Sequence, residues 1–223
     1  MEEVFALKAR IKFSKTGNVK FIGHLDVMRY FQKLIRRAGL DVKYTQGFHP
    51  HQIMSFTSPL SVGIESVGEY FDIETNSEID PEYAVKVMNE HTVDDIKVLK
   101  YINLPDDAKK SMALLAAADY LVDMEFNNQS IADFWNQNII EVLKKTKKSE
   151  KMVDIKPLIY KLENRNGKLF MQLAHGSVSN LKPGLVLDAL CKFTKNDRPE
   201  YVKMTRTEMY YEKDGKLTPL EEV

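Results

Sequence analysis

The chain has 223 residues, 43% of them hydrophobic and 29% charged, with 32 Lys and Arg balanced by 32 Asp and Glu. These are the proportions of a soluble globular protein with one large domain or two modest ones. No apolar run approaches the ~20 residues of a membrane helix, and MEEVFALKARIKF at the N-terminus lacks the basic-then-apolar order of a signal peptide, so a cytoplasmic location is expected. Cys191 stands alone, which excludes an internal disulfide and any multi-cysteine zinc or iron–sulfur cradle within this chain.

The elements, in chain order, begin with Val4 to Phe13. Here Phe5, Leu7, Ala9, Ile11 and Phe13 alternate with Lys8, Arg10 and Lys12, the period of a half-buried strand. Ser14 to Asn18 reads as a turn. From Gly23 to Ala38 the apolar residues Leu25, Met28, Phe31, Leu34 and Ile35 fall at helical spacing, and Gly39 ends the helix. Gln52 to Phe56 and Glu69 to Glu74 read as a hairpin, Asp80-Pro81 opens a helix to Asn89, and Ile96 to Ile102 closes as a strand. Leu104-Pro105-Asp106-Asp107 marks a boundary between domains 1–105 and 106–223.

The second half repeats that order. Ala118 to Phe126 reads as a strand and Ser130 to Lys145 as a helix. Val153 to Glu163 and Lys168 to Leu173 form a hairpin around Asn164-Arg165-Asn166-Gly167. Lys182-Pro183-Gly184 introduces a helix to Phe193, and Tyr201 to Glu212 is the last strand. The expected fold class is α+β: tandem duplicated ferredoxin-like (βαββαβ) domains, each an antiparallel sheet with helices on one face.

Charge is unevenly placed. Residues 1–52 hold ten Lys and Arg against four acids, and residues 53–105 hold three against ten. Arg29, Lys33, Arg36 and Arg37 share one face of the first helix, with Lys20 before it and Lys43 after it. Such a row suits phosphates, although rows of this kind are most often solvated faces.

The stretch from Lys43 to Asp72 packs Gly47, Pro50, Pro59, Gly63 and Gly68 around His49 and His51, so it reads as a shaped connection. His24, Asp26 and His51 are the candidates for acid–base catalysis. With no cysteine nearby and no helical His-x3-His spacing, no metal site is expected. No glycine pattern suits a nucleotide cofactor, and no cofactor is expected. Glu65, Glu69 and Asp72 read as exposed or salt-bridged to Lys or Arg.

FSKTGNVKFIGHLDVMRYFQKLIRRAGL, followed by YTQGFHPHQIMSF and PLSVGIES, resembles the bacterial radical-SAM-linked protein family, a domain of unknown function. The resemblance covers roughly Arg10 to Asp72. Its motif residues here are Ser14, His24, Asp26, Arg29, Tyr44, Gln46, Gly47, Pro50, His51, Ser55, Gly63, Glu65 and Ser66. It implies an accessory role beside a separate radical SAM protein.

Together these readings lead to an accessory protein that binds RNA (tRNA or rRNA) or presents a substrate, without catalysis of its own. Lys20, Arg29, Lys33, Arg36, Arg37 and Lys43 would hold phosphates. Recognition would fall to Tyr44, Gln46, Gly47, Phe48, His49, Pro50, His51, Ser55, Gly63, Glu65 and Ser66. Neither DNA nor a membrane is indicated as a partner. The alternatives are a metal-independent endoribonuclease using His24 or His51, and a module that only docks another protein.

Overall fold

The structure, a computed structural model, describes residues 7–145 and 150–222. The first half runs β1 (Leu7–Lys15), a 3-10 turn (Gly17–Phe21), α1 (His24–Arg37), β2 (Met54–Phe56), β3 (Glu65–Thr75), α2 (Pro81–Asn89) and β4 (Ile96–Leu104). The expected elements are present with altered ends. β1 runs on to Lys15, residues 4–6 of the expected strand lie outside the described residues, and β3 starts four residues before Glu69. Helix α1 buries Val27, Phe31, Leu34 and Ile35. Its Asp26 in the first turn and Arg36 and Arg37 in the last suit the helix dipole. In α2 the Asp80 carboxylate accepts the Tyr83 N–H at 2.7 Å, with Pro81 at the first position.

The second half contains α3 (Ser111–Leu114), β5 (Leu115–Val122), α4 (Asn128–Trp135), β6 (Glu141–Lys145), β7 (Glu150–Asp154), β8 (Ile159–Arg165), β9 (Lys168–Ala174), α5 (Pro183–Thr194), β10 (Met204–Lys213) and β11 (Lys216–Pro219). The helix expected from Ser130 to Lys145 is a correction. It stops at Trp135, and Glu141 to Lys145 pairs antiparallel with Glu150 to Asp154. Asn136, Gln137 and Asn138 interrupt the helical period there, and Ile139, Ile140 and Val142 are β-branched, which favours an extended chain. The β8–β9 turn is the expected one: Asn166 and Gly167 both take positive φ, 52° and 76°, the two-residue connection that suits strand twist.

The halves do not carry separate sheets, as the sequence suggested. β4-β1-β3-β10-β5-β9-β8 form one sheet, with β2 added to β3 and β11 to β10. Among the described residues every pairing is antiparallel except one: β10 meets β3 in parallel, Glu65 opposite Thr205 and Ser66 opposite Arg206. Gly68 makes this seam possible, since a Cβ there would lie 2.5 Å from the Thr207 carbonyl oxygen. Helices α1 and α2 cover one face of the first four strands, and α4 and α5 pack over the later ones, giving two clusters of buried apolar side chains.

On the opposite face of the first half, the Arg10 guanidinium donates to the Asp72 carboxylate at 2.8 Å and to the Leu220 carbonyl at 2.8 Å. Lys12 is bridged to Glu208 and Glu221 at 2.6 and 2.7 Å. The end of the described chain is thus fastened to its first strand. Among the described residues no helix is long and apolar enough to cross a membrane.

Candidate functional site

Helix α1 presents Arg29, Lys33, Arg36 and Arg37 to solvent. Arg29 lies 3.6 Å from the exposed Asp26 carboxylate, one turn away, and Arg36 Nε donates to the Gln32 carbonyl. Among the described residues no ion pair ties Lys33, Arg36 or Arg37 to an acid. An exposed pair such as Asp26–Arg29 holds its partner weakly, so this face keeps most of its positive field.

Lys20 and Lys43 sit differently. Lys20 lies beside the rings of Phe21 and Tyr201, 5.3 and 5.5 Å from their centroids, and reaches Glu65 at 3.4 Å. The Tyr201 hydroxyl and the Glu65 carboxylate raise its pKa. Lys43 donates its backbone N–H to the Glu74 carbonyl at the root of the next loop.

That loop is a braced hairpin tip. Ile53 N–H donates to the Lys43 carbonyl, Tyr44 bridges Gln52, and Thr45 N–H donates to the His51 carbonyl at 2.8 Å. The Thr45 hydroxyl oxygen accepts the His51 N–H at 3.1 Å and lies 3.0 Å from His51 Nδ1. Gly47 turns the tip at φ +116°, a backbone angle that side chains avoid. Gln46, His49, Pro50 and His51 are exposed, and Phe48 is 101% exposed.

The remaining loop candidates separate from this tip. Ser55 sits in β2 opposite Asp72, beside a small cavity that includes Lys8 and Lys110. Gly63 takes φ +87° and donates its N–H to the Lys20 carbonyl. Glu65 and Ser66 are buried in the seam. Glu65 is gripped by Lys20 and by Lys203 at 2.9 Å. Burial works to raise its pKa, but the two lysines outweigh this and lower it. The Ser66 hydroxyl donates to the Arg206 carbonyl at 3.0 Å and accepts the Gly68 N–H. These motif residues join the halves instead of lining the tip.

The catalytic candidates are also separated. His24 stands edge-on to Phe56, 5.5 Å between ring centroids, in a recess lined by Lys15 and Glu69. Burial and then Lys15 push its pKa down. His51 is on the exposed tip, and Asp26 points outward with Arg29. Among the described residues no hydrogen bond or ring contact joins His24 to His51, and no three His, Cys, Asp or Glu side chains are grouped to hold a metal ion.

A denser polar cluster occupies the seam on its helix side. The Arg206 guanidinium, 1% exposed, meets Glu69 through Nε–Oε1 at 2.7 Å and Nη2–Oε2 at 2.5 Å. Its Nη1 lies 3.0 Å from His175 Nε2. Burial works against the Arg206 charge, but Glu69 and the Tyr120 hydroxyl outweigh it and raise the pKa. Ser58 Oγ lies 2.9 Å from the same His175 nitrogen, and His175 Nδ1 lies 3.2 Å from Asn180 Oδ1.

An arginine only donates, so His175 Nε2 is an acceptor, its proton sits on Nδ1 and is given to Asn180, and Ser58 donates its hydroxyl hydrogen. Burial, then the Arg206 charge, push the His175 pKa down to about 4. The ring is neutral at physiological pH. Ser58, Leu60, Ile64, Tyr120, Asn180 and Lys182 surround a cleft of about 200 Å³ at this point. The His24 recess adjoins it, since Ser58 and Leu60 line both.

Sequence reasoning missed this cluster. Glu69, expected to be exposed or salt-bridged, is salt-bridged to Arg206 and buried. Ser58, His175 and Arg206 carried one available signal, small and turn-forming residues beside a histidine in Ala174-His175-Gly176-Ser177. Nothing local tied that segment to residues 117 positions earlier.

Fold and cleft define a mixed α/β protein with a mostly antiparallel sheet and a polar cleft at the seam of its halves. Residues 8–183 match the family described as "Uncharacterized protein conserved in bacteria (DUF2344)", and the chain belongs to it. No curated protein matches. Among solved structures the chain is similar to one in "Crystal Structure of a Cbf5-Nop10-Gar1 Complex", at 10% identity and a TM-score of 0.46. That likeness covers 95% of this chain and 51% of the other, so the present chain spans about half of its length.

Proposed function

We propose that the protein is a non-catalytic accessory that binds RNA, tRNA or rRNA, on the face formed by α1 and the Thr45–His51 tip. The observation that carries this reading is the exposed row Arg29, Lys33, Arg36 and Arg37, of which only Arg29 has an acidic partner among the described residues. Cations at this spacing exchange counterions with a phosphate backbone. The exposed rings of Phe48, Phe21 and Tyr201 offer stacking platforms, which single-stranded nucleic acid uses.

The resemblance of Arg10 to Asp72 to the radical-SAM-linked family supports a radical SAM enzyme as the partner served. We also infer a duplication. The orders β4-β1-β3-β2 and β10-β5-β9-β8 support two ferredoxin-like units, 1–105 and 106–223, the β6–β7 hairpin being an insertion in the second. A cytoplasmic location follows from an RNA ligand.

An endoribonuclease using His24 or His51 has less support, because His24 is half-buried with a lowered pKa and His51 stands on the braced tip away from it. The direct test is what accompanies the native protein on purification. RNA that is lost from the triple variant Arg29→Glu, Lys33→Glu, Arg36→Glu supports the reading. A polypeptide partner that survives nuclease treatment, with no RNA at any stage, overturns it in favour of a protein-docking module.

A further inference from the structure

We propose that the seam cleft is a base-selective pocket of that RNA surface, taking one unstacked nucleotide whose base carries an exocyclic amino group. The inference rests on the RNA-binding reading and adds where sequence preference arises. Three observations carry it.

The first is room. About 200 Å³ far exceeds the roughly 10–15 Å³ that a single water needs on the same measure, so the cleft admits a ring-sized group. Its walls mix apolar faces, Leu60 and Ile64, with the polar side chains of Ser58, Asn180 and Lys182, the usual make-up of a small-ligand site.

The second is hydrogen-bond polarity. Arg206 fixes His175 Nε2 as an acceptor, and His175 in turn takes the Ser58 hydroxyl hydrogen. Ser58 therefore shows the cleft only its lone pairs. A base amino group, such as N4 of cytosine, matches such an acceptor, whereas O4 of uracil meets it lone pair to lone pair. Because His175 and Arg206 are both buried, the polarity is built into the fold before any ligand arrives. The same geometry removes the alternative of a serine nucleophile. With its lone pair shared by Arg206 and its pKa down at about 4, His175 is a poor base for Ser58 at neutral pH.

The third is continuity with the proposed RNA face. The loop that lines the cleft also holds the approach to α1, since Gly63 N–H donates to the Lys20 carbonyl at 2.9 Å. Buried Lys15 donates to the Lys20 and Ile22 carbonyls from below at 3.3 and 3.0 Å. Phe21 and Tyr201, both 57% exposed, each lie within 5.5 Å of the Lys20 ammonium. A strand lying along α1 would reach the cleft past these rings. Lys182 at its rim supplies a cation for the phosphate of the inserted nucleotide.

The experiment compares short oligo(rC) and oligo(rU) of equal length, binding to the full chain at low salt by fluorescence anisotropy. Oligo(rC) is expected to bind about fivefold more tightly, the effect of one net hydrogen bond. Ser58→Ala is expected to reduce that preference to within about twofold, since His175 keeps its Arg206 donor and the seam stays paired. Ile64→Trp, which fills the cleft, should bring oligo(rC) down to the oligo(rU) level. Equal binding of the two oligomers by the wild-type protein, or a preference that survives both variants, overturns the pocket while leaving the RNA surface in place. If neither oligomer binds, the RNA reading itself falls, and the pocket with it.

Discussion

Arg206 and Glu69, 137 residues apart in the chain, meet through two hydrogen bonds with side chains 1% and 6% exposed. They lie beside the one parallel contact of the main sheet among the described residues and hold the two halves in one register. Removing one member leaves the other charge buried without its counterion, a loss of about 3–5 kcal/mol. Glu69→Ala should therefore lower the urea midpoint strongly, and Glu69→Met combined with Arg206→Met should recover much of the loss. A Glu69→Ala penalty below about 1 kcal/mol, the value of a surface pair, would mean that the seam is held by something else.

The same cluster sets a pH dependence. His175 is neutral in the folded protein down to about pH 4, whereas its ordinary pKa is 6.5. Between these values the unfolded chain binds a proton that the folded chain refuses, so stability is full above about pH 6.5 and falls as the pH drops toward 4. The contribution of this residue is about 3 kcal/mol across that window. His175→Gln keeps a hydrogen-bonding side chain without the titration, and thermal melts from pH 7 to pH 4 should show a shallower decline for this variant.

Two glycines separate close approach from mere flexibility. A Cβ at Gly68 would lie 2.5 Å from the Thr207 oxygen and 2.8 Å from the Glu208 Cα, both backbone atoms, while a Cβ at Gly184 meets nothing within 4 Å. Gly68→Ala should cost about 1–3 kcal/mol by forcing β3 away from β10. Gly184→Ala, in the first turn of α5, should be neutral or raise stability by up to about 1 kcal/mol. Chemical denaturation of the two single variants provides the comparison.

Local features were legible in proportion to how local their physics is. Phe31, Leu34 and Ile35 of the expected α1 stripe, the Asp80-Pro81 helix start and the Asn166-Gly167 turn are each set by residues within a few positions and are present, whereas Leu25 is exposed and Val27 takes a buried place instead. The strand at Glu141 to Lys145 is hidden because Ile140 and Leu143 also fit a helical period, and the local bias of the β-branched residues becomes a strand through pairing with Met152 and Val153. The seam was illegible for a stronger reason. Glu65 and Ser66 have motif status in sequence, but their partners Thr205 and Arg206 lie about 140 residues on, and no periodicity reports a contact of that range. In sequence His49 and His51 mark the Thr45–His51 tip, whereas the histidine enclosed by charge and hydrogen bonds is His175. Burial, which distinguishes them, is a property of the fold.

The claim that α1 is an RNA-binding face is tested most directly by the salt dependence of RNA affinity in the wild type and in the Arg29→Glu, Lys33→Glu, Arg36→Glu variant. The side chains are exposed, so the variant should stay folded, with a stability loss of no more than about 1 kcal/mol per site, chiefly from Arg36 at the helix C-terminus and Arg29 beside Asp26. For a single-stranded RNA, each phosphate contact contributes about −0.7 to the slope of log affinity against log salt. The wild type should show a slope of about −2 to −3, as three or four cations on one helix face imply, and the variant should lose both the slope and the binding. Wild-type affinity that is flat with salt, or a folded variant that binds as tightly as the wild type, would contradict it.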